Sequence, residues 1–123
     1  MTSQELQFRL IDFAVRVIES VNQLKPCAAS AYVGGQLLRS GTSPALHYGE
    51  VLAAESKRDF VHKLKVVLKE LRESWAALVI IERADLARSA KDAEALRDEC
   101  NQLVSIFTKS THTASGKIVN RKS

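Results

Sequence analysis

Between Phe60 and Ile81 the apolar residues Phe60, Leu64, Val67, Leu71, Trp75, Leu78 and Ile81 recur at steps of four and three, a near-heptad seam. A strand would alternate at every second residue, so this stretch predicts a long helix with one continuous apolar side. Val61, Leu68 and Val79 widen the seam on one flank, as the interior of a bundle requires. Such a helix cannot bury its seam alone and needs partners of comparable length.

Three further segments supply them. Residues 4–25 place Leu6, Leu10, Phe13, Ala14, Val17, Ile18, Val21 and Leu24 at helical spacing, and Pro26 ends the pattern. Residues 30–54 form the second helix, with Ser30 as its expected N-cap and Val33, Leu37, Leu38, Leu46 and Leu52 on its apolar side. Gly41-Thr42-Ser43-Pro44 interrupts it, leaving two readings: a restart capped by Ser43, or one helix kinked at Pro44. The seam helix spans 56–84. A fourth covers 92–109, capped by Ser89 or Asp92, with Ala93, Leu96, Cys100, Leu103, Val104 and Phe107 on one face. From 110 to 123 the periodicity is lost, and the segment reads as a disordered basic tail. Glycine (5) and proline (2) are scarce, so the chain has few places to turn. Four striped helices with short connections predict an all-α fold, an antiparallel up-and-down four-helix bundle in a single domain.

Charge says more once it is located. Lysine and arginine number 18 against 14 acids, a net charge of +4. Lys109, Lys117, Arg121 and Lys122 lie beyond the last acid, so residues 1–108 balance to zero. The longest apolar run, Ala76 to Ile81, is far short of the ~20 residues that cross a bilayer. With no basic leader followed by an apolar stretch, a cytoplasmic protein is expected. Cys27 and Cys100 have no neighbouring ligands and read as two small buried residues.

Chemistry-bearing patterns are few. His47 and His62 lack the Glu-x-x-His spacing of metal-binding bundles, and no phosphate loop or nucleophile motif occurs. No metal, cofactor or catalytic residue is expected, and the protein is read as a non-enzyme. The seam helix does carry Arg58, His62, Lys65, Lys69 and Arg72 within an arc of roughly 80°, opposite the seam and free of acids. The stripe is ~21 Å long. It suits a phosphate backbone, a solvated outer face or an acidic protein partner, with Glu70 and Glu73 placed to pair with Lys69 or Arg72. In the tail, Lys117, Arg121 and Lys122 form a second basic element, and His112 has no evident partner. Trp75 is read as a core or subunit contact.

Arg39-Ser40-Gly41-Thr42-Ser43 is the remaining signature, followed by Tyr48-Gly49-Glu50 and then Glu55-Ser56 and Asp59-Phe60. Gly41 permits close backbone approach, the hydroxyls bond locally, and Arg39 is a bidentate donor. The motif suits helix or subunit packing better than an anion pocket, and Glu50 is placed to meet Arg39 or Tyr48. This block resembles the four helix bundle protein family that includes proteins encoded in intervening sequences of 23S ribosomal RNA genes. Its members carry an aliphatic residue where this chain has Pro44 and run through that point as one helix. The resemblance implies a homo-oligomer, specifically a pentameric ring, without catalysis. A related branch assists the reverse transcriptase of diversity-generating retroelements, which implies RNA or DNA as a partner. An oligomeric scaffold for a protein partner is the alternative.

Overall fold

The computed structural model describes the backbone of residues 1–122 and the side chains of residues 1–116. Helices α1 (Ser3–Asn22), α2 (Ala28–Leu52), α3 (Lys57–Arg83) and α4 (Ala90–Lys122) follow one another, with no strand among the described residues. Each packs on the next, and α1 meets α4 more thinly to close the circuit. The expected all-α four-helix bundle is the architecture found.

Local chemistry sets the helix starts. The Thr2 hydroxyl accepts from the Glu5 N–H at 3.0 Å while the Glu5 carboxylate accepts from the Thr2 N–H at 3.1 Å, a reciprocal cap. Ser56 accepts from the Asp59 N–H at 3.0 Å, and Ser89 from that of Asp92 at 3.2 Å, so Ser89 is the residue that caps α4. Ser30 does not cap α2. That helix begins at Ala28, with Cys27 at the N-cap position and no side-chain cap bond. Ser30 shares a helical face with Gly34 and Leu37, is buried with them, and accepts from the Cys27 thiol at 3.3 Å. Cys27 is exposed, so the expectation of two buried thiols holds for Cys100 alone. The Cys100 thiol donates to the Leu71 carbonyl at 3.3 Å, and burial pushes its pKa to about 12.

Of the two readings at Pro44, the single helix is the one observed. Proline deletes a backbone bond and costs an isolated helix ~3 kcal/mol. Here α2 lies between α1 and α3, with Leu37, Pro44, Tyr48 and Val51 buried, and that packing holds it. Leu10, Phe13, Val17, Leu71, Leu78, Ile81, Leu103 and Phe107 complete the centre of the core.

Several expected inner residues face outward. Ile18, Leu38, Leu46 and Leu52 are exposed, and Trp75 is 42% exposed. On α3 the small Ser74, fully buried, takes the inner place at the α2 contact, and the indole next to it is left at the margin. The fourth helix is longer than expected. It continues past Lys109, with Thr111 buried and Ala114 packed against the core four and seven residues after Phe107. Residues 110–116 are therefore helix, not disordered tail: small residues extend the inner face there without a strong hydrophobic signal.

One end of the bundle is tied. The Lys25 N–H donates to the Leu86 carbonyl at 2.8 Å, Leu24 pairs with Ala87, and Lys25 Nζ lies 3.0 Å from the Asp85 carboxylate. Asp85 takes the left-handed conformation (φ 54) just beyond the end of α3, which aspartate tolerates and which turns the chain toward α4.

Candidate nucleic-acid interface

Arg58, His62, Lys65, Lys69 and Arg72 are all exposed along the outer side of α3. What keeps the stripe positive is the fate of the two nearest acids. Glu70 and Glu73 turn to α2, where Arg39 donates to them at 3.0 Å and 2.5 Å. The expected pairing of these acids with Lys69 or Arg72 is not formed. Lys63 and Asp59, off the stripe, do make the 3.0 Å pair that their i, i+4 spacing suggests, and it holds the Asp59 carboxyl below its usual range. Among the described residues none of the five stripe side chains has an acidic partner.

The extra turns of α4 lie alongside this stripe. An open groove of about 840 Å³ runs between Lys65, Lys69 and Arg72 on α3 and Thr108, Thr111, His112 and Ser115 on α4. His112, an isolated tail residue in the sequence, thus stands across from the lysines. No sequence signal marks the Thr108, Thr111 and Ser115 wall, because the periodicity fades near Lys109. Lys117, Arg121 and Lys122 lie outside the residues whose side chains are described.

The Arg39–Ser43 motif meets other helices residue by residue. Arg39 reaches α3 as above, and the hydrogen bond to Glu73 raises its pKa. Ser40 and Ser74 share a buried hydrogen bond of 2.9 Å. A Cβ on Gly41 would lie 2.7 Å from a Val17 methyl, so α1 and α2 touch there only because the residue is glycine. Thr42 donates back to the Leu38 carbonyl at 2.7 Å, and Ser43 Oγ lies 3.0 Å from His47 Nδ1. Tyr48 stacks edge-to-face on Phe107 with centroids 5.9 Å apart, and burial pushes its phenol pKa up. Glu50 is exposed and meets neither Arg39 nor Tyr48: it lies about three turns beyond Arg39 on the same side of α2, and on the opposite side from Tyr48. Arg39 through Tyr48 together join α1, α2, α3 and α4.

No protein-family model matches the sequence. No curated protein matches it either. Among solved structures the chain is similar to a protein of unknown function from the S23 ribosomal protein family of Bacteroides thetaiotaomicron. The TM-score is 0.76 at 26% identity, over 91% of this chain and 99% of the other. That likeness covers most of the four-helix framework that carries these residues.

A second unusual surface lies on α1. Phe8, Ile11, Val15 and Ile18 are 57%, 39%, 47% and 43% exposed, on the side away from Leu6, Leu10, Phe13 and Val17. Their spacing of three, four and three is that of a helix-packing seam, left without a partner in a single copy. The sequence shows this second stripe plainly, but periodicity alone does not say which of two stripes turns inward. No helix among the described residues is long and apolar enough to cross a membrane. No group of three or more His, Cys, Asp or Glu among them is placed to hold a metal.

Proposed function

We propose that this is a non-enzymatic, cytoplasmic bundle of the ribosomal RNA intervening-sequence type, which self-associates and binds the backbone of structured RNA. The observation that carries the reading is the unneutralised stripe Arg58, His62, Lys65, Lys69 and Arg72, whose nearest acids are taken by Arg39. Lysine and arginine bind phosphate by releasing condensed counterions, a mode that needs no base contacts. The ribosomal family name of the similar structure agrees with RNA as the polymer. Self-association runs through the outer face of α1, whose four apolar side chains gain most from a second copy of the chain. A ring of five is the assembly that the family resemblance implies, and repetition of the stripe around it multiplies weak contacts.

The test is fluorescence anisotropy of a labelled RNA hairpin across a salt series. The proteins are the intact chain, the variant K65S/K69S/R72S and a chain ending at Gly116. Binding that falls with salt and needs the three cations supports the reading. Loss only on truncation moves the contact to Lys117, Arg121 and Lys122. A DNA hairpin of the same sequence tells RNA from DNA. The apolar face of α1 also suits a scaffold for a protein partner, and absence of hairpin binding at low salt would leave that reading standing instead.

A further inference from the structure

We infer that the apolar seam of α1 is covered by the outer side of α2 of a second copy of the chain. This rests on the self-association reading above and deepens it by naming the surface that the seam meets. Gly35, Leu38, Thr42, Leu46 and Gly49 recur at steps of three and four on α2 and share an arc of roughly 80°, away from the buried Leu37, Pro44, Tyr48 and Val51. No charged residue lies in that arc. Arg39 and Glu50, the acid and base of α2, stand to one side of it, and Arg39 is turned to Glu70 and Glu73. Thr42 spends its hydroxyl on the Leu38 carbonyl. Leu38 and Leu46 are 40% and 75% exposed, with Tyr32 (71%) and Leu52 (48%) at the edges. With those exposures the stripes of α1 and α2 together offer on the order of 800 Å² of apolar surface, close to the apolar half of a standard ~1,600 Å² interface.

The glycines supply an independent sign. A Cβ on Gly34 would lie 3.0 Å from a Leu24 methyl and one on Gly41 2.7 Å from a Val17 methyl, so close packing inside the copy accounts for both. Gly35 and Gly49 have no atom within 4 Å of such a Cβ, and neither takes a positive φ. Nothing inside the copy requires them, although glycine destabilises a helix interior. Close approach from outside does require them: the bulky Phe8, Ile11, Val15 and Ile18 of α1 fit the space that a missing side chain leaves. Pairing α1 with α1 would close at two copies and leave the leucines of α2 in water. Seating α1 of one copy on α2 of the next covers both stripes with one kind of contact, and leaves a free stripe at each end for further copies, as a ring needs.

The experiment pairs cross-linking with sedimentation velocity on the full chain. Cys27 is exposed and Cys100 buried, so C27S removes the accessible thiol. Two chains, C27S/I11C and C27S/L46C, one of them tagged, are treated with a short bismaleimide alone and after mixing. Expected is a covalent dimer from the mixture and little from either chain alone. Separately, G35Q/G49Q adds length to the α2 face without charge. It should weaken association at least tenfold, while the melting temperature of the dilute, dissociated chain rises, because glutamine is the better helix former. A cross-link from C27S/I11C alone would make the contact α1 on α1 and overturn the inference, as would one from C27S/L46C alone. An assembly that G35Q/G49Q leaves intact while F8E/I11E dissolves it would keep the α1 contact and remove α2 as its counterpart. A parent chain that sediments as a monomer at every concentration would remove both readings.

Discussion

The outward sides of α1 and α3 depart from an ordinary polar bundle surface in opposite directions. On α1, Phe8, Ile11, Val15 and Ile18 leave an apolar seam facing water. On α3, Arg58, His62, Lys65, Lys69 and Arg72 leave a run of cations without acids. Each helix also has a well-filled inner side, so neither outer stripe is needed to hold the single copy together. The difference teaches what each side would gain from a partner. An apolar seam gains by excluding water against a matching surface, whereas a cationic run gains by meeting phosphate and stays solvated without it.

The strongest way to break the comparison is to charge the α1 seam. F8E/I11E should abolish self-association, since a carboxylate buried without a partner is not tolerated at a helix contact. Sedimentation velocity is expected to give monomers with unchanged helical circular dichroism. An assembly that survives would mean that α1's outer face is not the contact. Next in size is the α3 run. K65S/K69S/R72S should lower hairpin affinity by more than tenfold and reduce the salt slope by about 2 to 3, with the assembly state preserved.

Gly41→Ala sharpens the contrast by acting on the inner side of α1 alone. The added methyl gains about 1 kcal/mol of helix propensity but overpacks Val17 at a cost of about 1–3 kcal/mol. The expected outcome is a small net loss of stability by urea unfolding, returned by V17A in the same chain. Hairpin affinity and assembly state should stay as they were. The smallest effect concerns Arg39. R39Q frees Glu70 and Glu73 beside the cationic run and should weaken hairpin binding severalfold, and R39Q/E70Q/E73Q should recover it. If R39Q alone binds as the parent does, Arg39 does not shield the run.

Much of the fold is legible in the sequence because the seam of α3 and the candidate cap of α4 at Ser89 are local signals. The cationic run is legible for the same reason: helical spacing fixes its arc without knowledge of the partner helices. Legibility fails where meaning depends on what lies across a contact. Ile18 and Val17 are adjacent and equally apolar, and only the approach of α2 decides that Val17 turns inward. Trp75 falls on the seam by spacing, yet the narrow contact with α2 favours Ser74. Arg39 finds its acids on another helix, 31 and 34 residues away. Thr111 and Ala114 escape notice because small side chains carry little hydrophobic weight even where they are buried.

The tie between the α1–α2 and α3–α4 connections gives the molecule the mechanics of a clothes-peg. Lys25, Leu86 and Asp85 act as its spring end. The start of α1 and the later turns of α4 belong to the opposite, jaw end. Backbone amides should exchange slowly at the spring and faster toward the jaws. Opening at the jaws would leave the grip behind them intact.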